Sequence, residues 1–180
     1  MISLIQGSGS KNFLYLAIGS TATFILYITF VLTPAGLCFY VDSGPNSLGL
    51  SFSYTKDMVL SFLGSRSQEQ LLCYNKFLQI WDAVFAIIYT LMYASWIVYL
   101  FNSKRWLALI PVLGMISDWL ENYIELLMIK TYTNAGAISE TIVSLGSGIN
   151  SFKWILSSLT YLVILIGIII AIKNLFKKHS

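Results

Sequence analysis

Three carboxylates, Asp118, Glu121 and Glu125, stand within eight residues of one another in the stretch SDWLENYIELL at 117–127. On a helix advancing 100° per residue they fall within an arc of about 60° and about 10 Å of axis, so they share one face. Pro111, Gly114 and Asn122 lie on or near the same stripe, while Leu113, Ile116, Leu120, Ile124 and Leu127 take the other side. Clustered acids of this kind have three uses. Their oxygens can hold a hard cation such as Ca²⁺ or Mg²⁺, they can relay a proton or donate one as a general acid, or they can hydrogen-bond neighbouring helices at about 1 kcal/mol each. Spacing does not choose among these.

Other chemistries are argued down by what is missing. The one histidine is His179, close to the C-terminus, which leaves no ligand for a His-bound haem, no Glu-x-x-His pair for a di-iron bundle and no Ser-His-Asp triad. There is no phosphate-cradling glycine loop and no CxxC motif. No cofactor is expected.

The elements that must position the acids follow from composition. The chain has 180 residues, 57% hydrophobic and 11% charged, with a mean hydropathy of +0.74. Soluble domains carry about a quarter charged residues, so this is an integral membrane protein. Four segments approach or exceed the roughly 20 residues that cross a hydrocarbon core of about 30 Å. They lie near 13–34, 79–101, 106–129 and 152–172, with long connections at 35–78 and 130–151. The expected fold is all-α, a single membrane domain over 1–180: a four-transmembrane-helix bundle with a small outer cap of short helices and loops. The first apolar run follows Lys11 but outlasts a signal-peptide core, which favours a membrane helix. There is no internal repeat and no low-complexity tract.

Helical wheels give each segment one polar stripe. The second gathers Asn75, Asp82, Phe85, Tyr89 and Tyr93, the fourth Lys153, Ser157, Thr160 and Gly167, and the first Ser20, Thr23 and Tyr27. Acids facing lipid tails are costly, so these stripes turn inward. The expected feature is a carboxylate-lined cleft open to the outside, with Asp82, Glu125 and Lys153 at its mouth. Asp118 and Glu121 lie deeper, without an obvious partner, and Tyr89 and Tyr93 form the floor. Buried tyrosines also serve plainly as packing with a satisfied hydroxyl. Pro111 reads as a kink in the third helix.

Orientation follows from Lys and Arg beside short loops. The connection Asn102-Ser103-Lys104-Arg105 and the tail with Lys173, Lys177 and Lys178 put both termini in the cytoplasm, and the net charge of +3 needs no nucleic acid to explain it, since a basic tail beside anionic lipid is enough. Cys38 and Cys73 then lie outside, where two thiols either pair or stay free and half-buried. Between them, DSGPNS at 42–47 reads as a turn, Leu48, Leu50, Phe52 and Tyr54 as an extended run, and Thr55 as the N-cap of a helix stopped by Gly64. Ser67 and Gln70 have capping-box spacing and open one helix that runs on to Phe101. A further short helix is expected over 138–145, closed by Gly146 and Gly148.

With these residues in view, the chain resembles a group of small bacterial four-helix membrane proteins. The shared pattern is Tyr54-Thr55, Leu63-Gly64 followed by Arg66 and Tyr74, Asp82 with Phe85 and Tyr89, and Pro111 through Asp118-x-x-Glu121-Asn122. That resemblance implies a bacterial inner-membrane location and no particular activity. The layout is also similar to the EXPERA group of sterol-isomerase-like and sterol-binding proteins, although the acid expected in helix one is missing here. The function expected is binding of a small amphiphile or lipid, or of a divalent cation, by Asp118, Glu121, Glu125, Asp82, Lys153, Tyr89 and Tyr93. The alternatives are a lipid-modifying enzyme whose general acid is a carboxyl that keeps its proton at neutral pH, and a structural subunit with protein partners in the membrane. No nucleic-acid partner is expected.

Overall fold

The computed structural model describes residues 8–42 and 47–178, so most of the turn expected at 42–47, and His179, lie outside the described residues. Helix α1 covers 8–39, running from Ser8–Tyr27 through a π turn, Ile28–Leu32, and Thr33–Gly36 to a closing 3-10 turn, Leu37–Phe39. Helix α2 is Lys56–Gly64, α3 is Gln68–Leu100, α4 is Leu109–Ala135 and α5 is Glu140–Lys178. Among the described residues there is no strand. Three helices, over Lys11–Phe39, Gln68–Leu100 and Glu140–Lys177, are long and apolar enough to cross a membrane. Helix α4 has 27 residues but carries Asp118, Glu121, Glu125 and Lys130 along its length.

Local chemistry explains most boundaries. Thr55 accepts a hydrogen bond from the Met58 amide and starts α2. Ser67 and Gln70 close a reciprocal capping box that starts α3. With no Gly or Pro from there to Phe101, α3 continues unbroken through a π turn at Phe77–Asp82. Helix α4 ends at Gly136, whose φ of 65° is the left-handed C-cap conformation that glycine adopts without a steric penalty. The π turn of α1 also has a cause. Pro34 cannot donate to the Phe30 carbonyl and its ring crowds that group, so the turn before it widens.

Several expectations are corrected. The run 48–54 is not an extended segment throughout, because Leu48–Leu50 forms a 3-10 turn. The helix expected at 138–145 does not stop at Gly146 or Gly148; it begins at Glu140 and becomes α5, so the connection expected over 130–151 shrinks to 136–139. Gly146 is there for close packing: a Cβ would lie 2.5 Å from Tyr54 Oη and 2.8 Å from Ile124 Cγ2. Pro111 is no kink. It is the third residue of α4, where its missing N–H costs nothing because first-turn amides have no helical acceptor. Thr23 faces outward, its hydroxyl bonded back to the Gly19 carbonyl.

Helices α3, α4 and α5 pack on one another, whereas α1 packs extensively on α3 alone among the long helices. The densest apolar core lies at one end, under α2 and the 47–55 segment, where Phe39, Val59, Phe62, Tyr74 and Met128 are buried together. Arg66 is buried there too, its guanidinium 3.6 Å above the Phe62 ring and donating to the Phe39 and Phe62 carbonyls. Cys38 and Cys73 are disulfide-bonded and tie the last turn of α1 to α3 at this cap end.

Candidate ligand-binding site

Helix α4 presents Asp118, Glu121, Asn122 and Glu125 at three- and four-residue spacing, and all four are buried. Lys153 of α5 reaches across to them. Its Nζ lies 3.1 Å from Asp118 Oδ1 and is paired with Glu121 Oε2. It also donates to the Gly49 carbonyl at 3.4 Å. The expectation that Asp118 and Glu121 lack a partner, with Lys153 serving the mouth, is therefore corrected: Lys153 is the centre of the cluster. An ammonium taken from water into this setting is stable only because two carboxylates and a carbonyl replace its hydration.

Glu125 is served differently. It accepts from the Tyr74 hydroxyl, which in turn lies 3.0 Å from Ser47 Oγ. Asp82 accepts from Asn122 Nδ2 at 2.8 Å, and Tyr89 donates to Asp118 Oδ2 at 3.2 Å. Tyr93 does not touch an acid; its hydroxyl meets that of Tyr161 at 3.1 Å. The rings of Phe24, Phe85, Tyr89, Tyr93 and Tyr161 follow one another at centroid separations of 5.4–5.9 Å. They form an aromatic chain from α1 over α3 to α5.

The π turn at Phe77–Asp82 explains why Tyr74, and not Asn75, joins this face. Residues 75 and 82 align on a regular α-helix, but a π turn takes up about one extra residue, so the alignment moves back by one, to 74. Asn75 instead pairs with Gln79, away from the acids. The wider turn also leaves carbonyls to satisfy. Tyr27 donates to Trp81, Asn122 to Leu78 and Trp119 to Ala83, so neighbouring helices dock on those oxygens.

Asp82, Tyr89, Tyr93, Asp118, Glu121, Glu125 and Lys153 all line one cavity of about 550 Å³. Its remaining walls include Phe24, Leu32 and Leu37 of α1, Phe85 of α3, and Trp154, Ser157 and Tyr161 of α5. Thus α1 and α5 face each other across it without an extended contact. The turn Leu48–Leu50 covers the cap end. Gly49 accepts from Trp154 Nε1 at 3.1 Å, and a Cβ on it would stand 3.0 Å from Glu121 Oε1. Beside the cluster, burial pushes the Tyr54 hydroxyl well above its ordinary range, and the nearby Glu125 and Glu121 push it further. Burial lowers the Arg66 guanidinium, against a smaller upward effect of Tyr74.

Tyr74, Gly49 and Trp154 were not foreseen in the cluster. Tyr74 was hidden by the register shift, and a glycine inside a loop carries no periodic signal. Trp154 could have been suspected from its place beside Lys153. Among the described residues, no three of His, Cys, Asp and Glu converge as a metal-holding group. Comparison with protein-family models, curated proteins and solved structures finds no match.

Proposed function

We propose that this chain is a four-span membrane protein that binds a small amphiphile, its polar head at the Lys153 cluster and its tail along the aromatic chain. The observation that carries this reading is a single cavity with charged groups on one wall and apolar rings on another, between two helices that do not close on each other. Binding sites of this kind pair an apolar lining with a few polar groups that fix orientation. In the proposed membrane setting, the opening between α1 and α5 faces lipid, and the Gly49 turn bars the aqueous side. A divalent cation is the weaker reading, because Lys153 Nζ already occupies the place between Asp118 and Glu121 that a cation would take.

The test is thermal unfolding of the purified chain in detergent, with a panel of lipids and amphiphiles and with Ca²⁺ and Mg²⁺. One class of amphiphile should raise the unfolding temperature saturably, and the metals should not. Ser157→Phe, which places a ring in the cavity, should abolish that shift. If no amphiphile stabilises the wild type, or if Ser157→Phe responds equally, the cavity is not a binding site.

A further inference from the structure

Glu121 and Glu125, 0% and 1% exposed, share a hydrogen bond with each other. Ionised carboxylates only accept, so two of them have no hydrogen to share and one of the pair must carry a proton. Their other contacts say which. Glu121 is paired through Oε2 with the Lys153 ammonium, whereas Glu125 accepts at Oε2 from the neutral Tyr74 hydroxyl. The Oε1 atoms of both are buried with no donor, and a proton between the two carboxyls supplies one.

The surroundings argue against two charges here. Facing the pair are Tyr74 of α3, Asp118 of α4, Lys153 of α5, and Tyr54 and the Leu48–Leu50 turn of the cap, with Asp82 of α3 farther off. Lys153 divides its charge between Asp118 and Glu121. The turn covers the pair so closely that a Cβ on Gly49 would stand 3.0 Å from Glu121 Oε1. Tyr54, 4% exposed and with no partner for its hydroxyl, can turn one hydrogen toward the pair, but a hydroxyl satisfies one oxygen and neutralises neither acid. A second carboxylate would have neither water nor a counter-charge, and buried acids in that position take up a proton instead.

We infer that Glu125 carries a proton and donates it to Glu121, which makes the pair a buried proton-binding site between the cavity and the cap. This does not depend on what the cavity binds. The test is the infrared spectrum of the full chain in dodecyl maltoside, a detergent with no carbonyl. Glu121 and Glu125 are two of the chain's four glutamates, and a background of Glu69→Gln with Glu140→Gln, both at exposed positions, leaves only this pair to label. With ¹³C-carboxyl glutamate at neutral pH, a protonated-carboxyl stretch should appear, displaced from its place in the unlabelled chain, and Glu125→Gln should remove it. The Gln amide N–H replaces the acid O–H as the donor to Glu121, so that variant should keep the fold. A proton held by the folded chain and released on unfolding makes the unfolding temperature fall as pH rises above neutral, and Glu125→Gln should lose that part of the fall. Absence of a labelled protonated stretch means that both glutamates are ionised and overturns the site, an answer the labelled chain gives whether or not the variant folds. A stretch that survives Glu125→Gln puts the proton on Glu121 and overturns the assignment to Glu125.

Discussion

Lys153 holds two buried carboxylates, and removing it would leave them with no cation while the surrounding apolar walls stay in place. Breaking a buried ion pair by deleting one partner costs about 3 to 5 kcal/mol, more than the pair itself contributes, because the orphaned charge stays desolvated. Lys153→Met should therefore lower the unfolding free energy by about that amount, and adding Glu121→Gln should return part of it. Strictly additive losses in the double variant would show that Glu121 and Lys153 are not coupled. Two glycines two residues apart, on different sides of α5, give a second, steric contrast. Gly146→Ala drives a methyl into Tyr54 Oη and Ile124 Cγ2, an overpacking cost of about 1 to 3 kcal/mol. Gly148 has nothing within 4 Å of the added methyl, so Gly148→Ala should gain about 0.5 to 1 kcal/mol from better helix propensity. Equal effects at the two positions would contradict the close approach of α5 to Tyr54.

Among the elements, the disulfide and the π turn of α3 act on the same corner. Cys38–Cys73 closes a loop with a sequence separation of 35 that contains all of α2. Cys38→Ser with Cys73→Ser should cost about 2 to 4 kcal/mol. The loss should appear as earlier unfolding of the cap end, read by hydrogen exchange of α2 amides before those of α4. Uniform exchange would mean that the bridge does not hold the cap. This corner also marks how far the sequence could be read. Thr55, Ser67 and Gln70 announce their helix starts because capping is decided within four residues. Asp118, Glu121 and Glu125 could be placed on one face because α4 is regular between them. Tyr74 could not be placed, since the π turn at Phe77–Asp82 shifts the wheel by one residue and Asn75 looks equally polar. Gly146 and Gly148 read as stops because local propensity favours that; the contacts that keep α5 helical there come from Tyr54 and Ile124, far away in sequence. The partner of Asp118 and Glu121 was misjudged for a related reason, since the wheels fix faces and leave relative depth open.

At the scale of the whole molecule, the fold changes how its charges count toward orientation. Of the five cations on the cap side, Arg66 and Lys153 are taken up by Phe62 with backbone carbonyls and by the acid cluster, which leaves Lys56, Lys76 and Lys130, spread along the cap and mixed with acids. At the other end Lys104 and Arg105 stand exposed in the short connection between α3 and α4, and α5 finishes with Lys173 and Lys177 exposed. Exposed cations beside short loops mark the cytoplasmic side, and a disulfide at the cap end fits an oxidising compartment. Both arguments support the proposed arrangement, with termini inside and cap outside, and they are independent of each other. The arrangement requires α4 to cross the membrane despite its acids, which is reasonable only because those acids are buried against α3 and α5 and not turned to lipid. The native cysteines are bonded and silent to thiol reagents, so single added cysteines report cleanly. Ala137→Cys, exposed between α4 and α5, should react with an impermeant maleimide added to intact cells. Ser103→Cys, exposed at the other end of α4, should react only after the membrane is opened. Labelling of both from outside, or of neither, would place the two ends of α4 on one side and leave three spans, with the acid cluster then bound to a surface and not to the membrane interior.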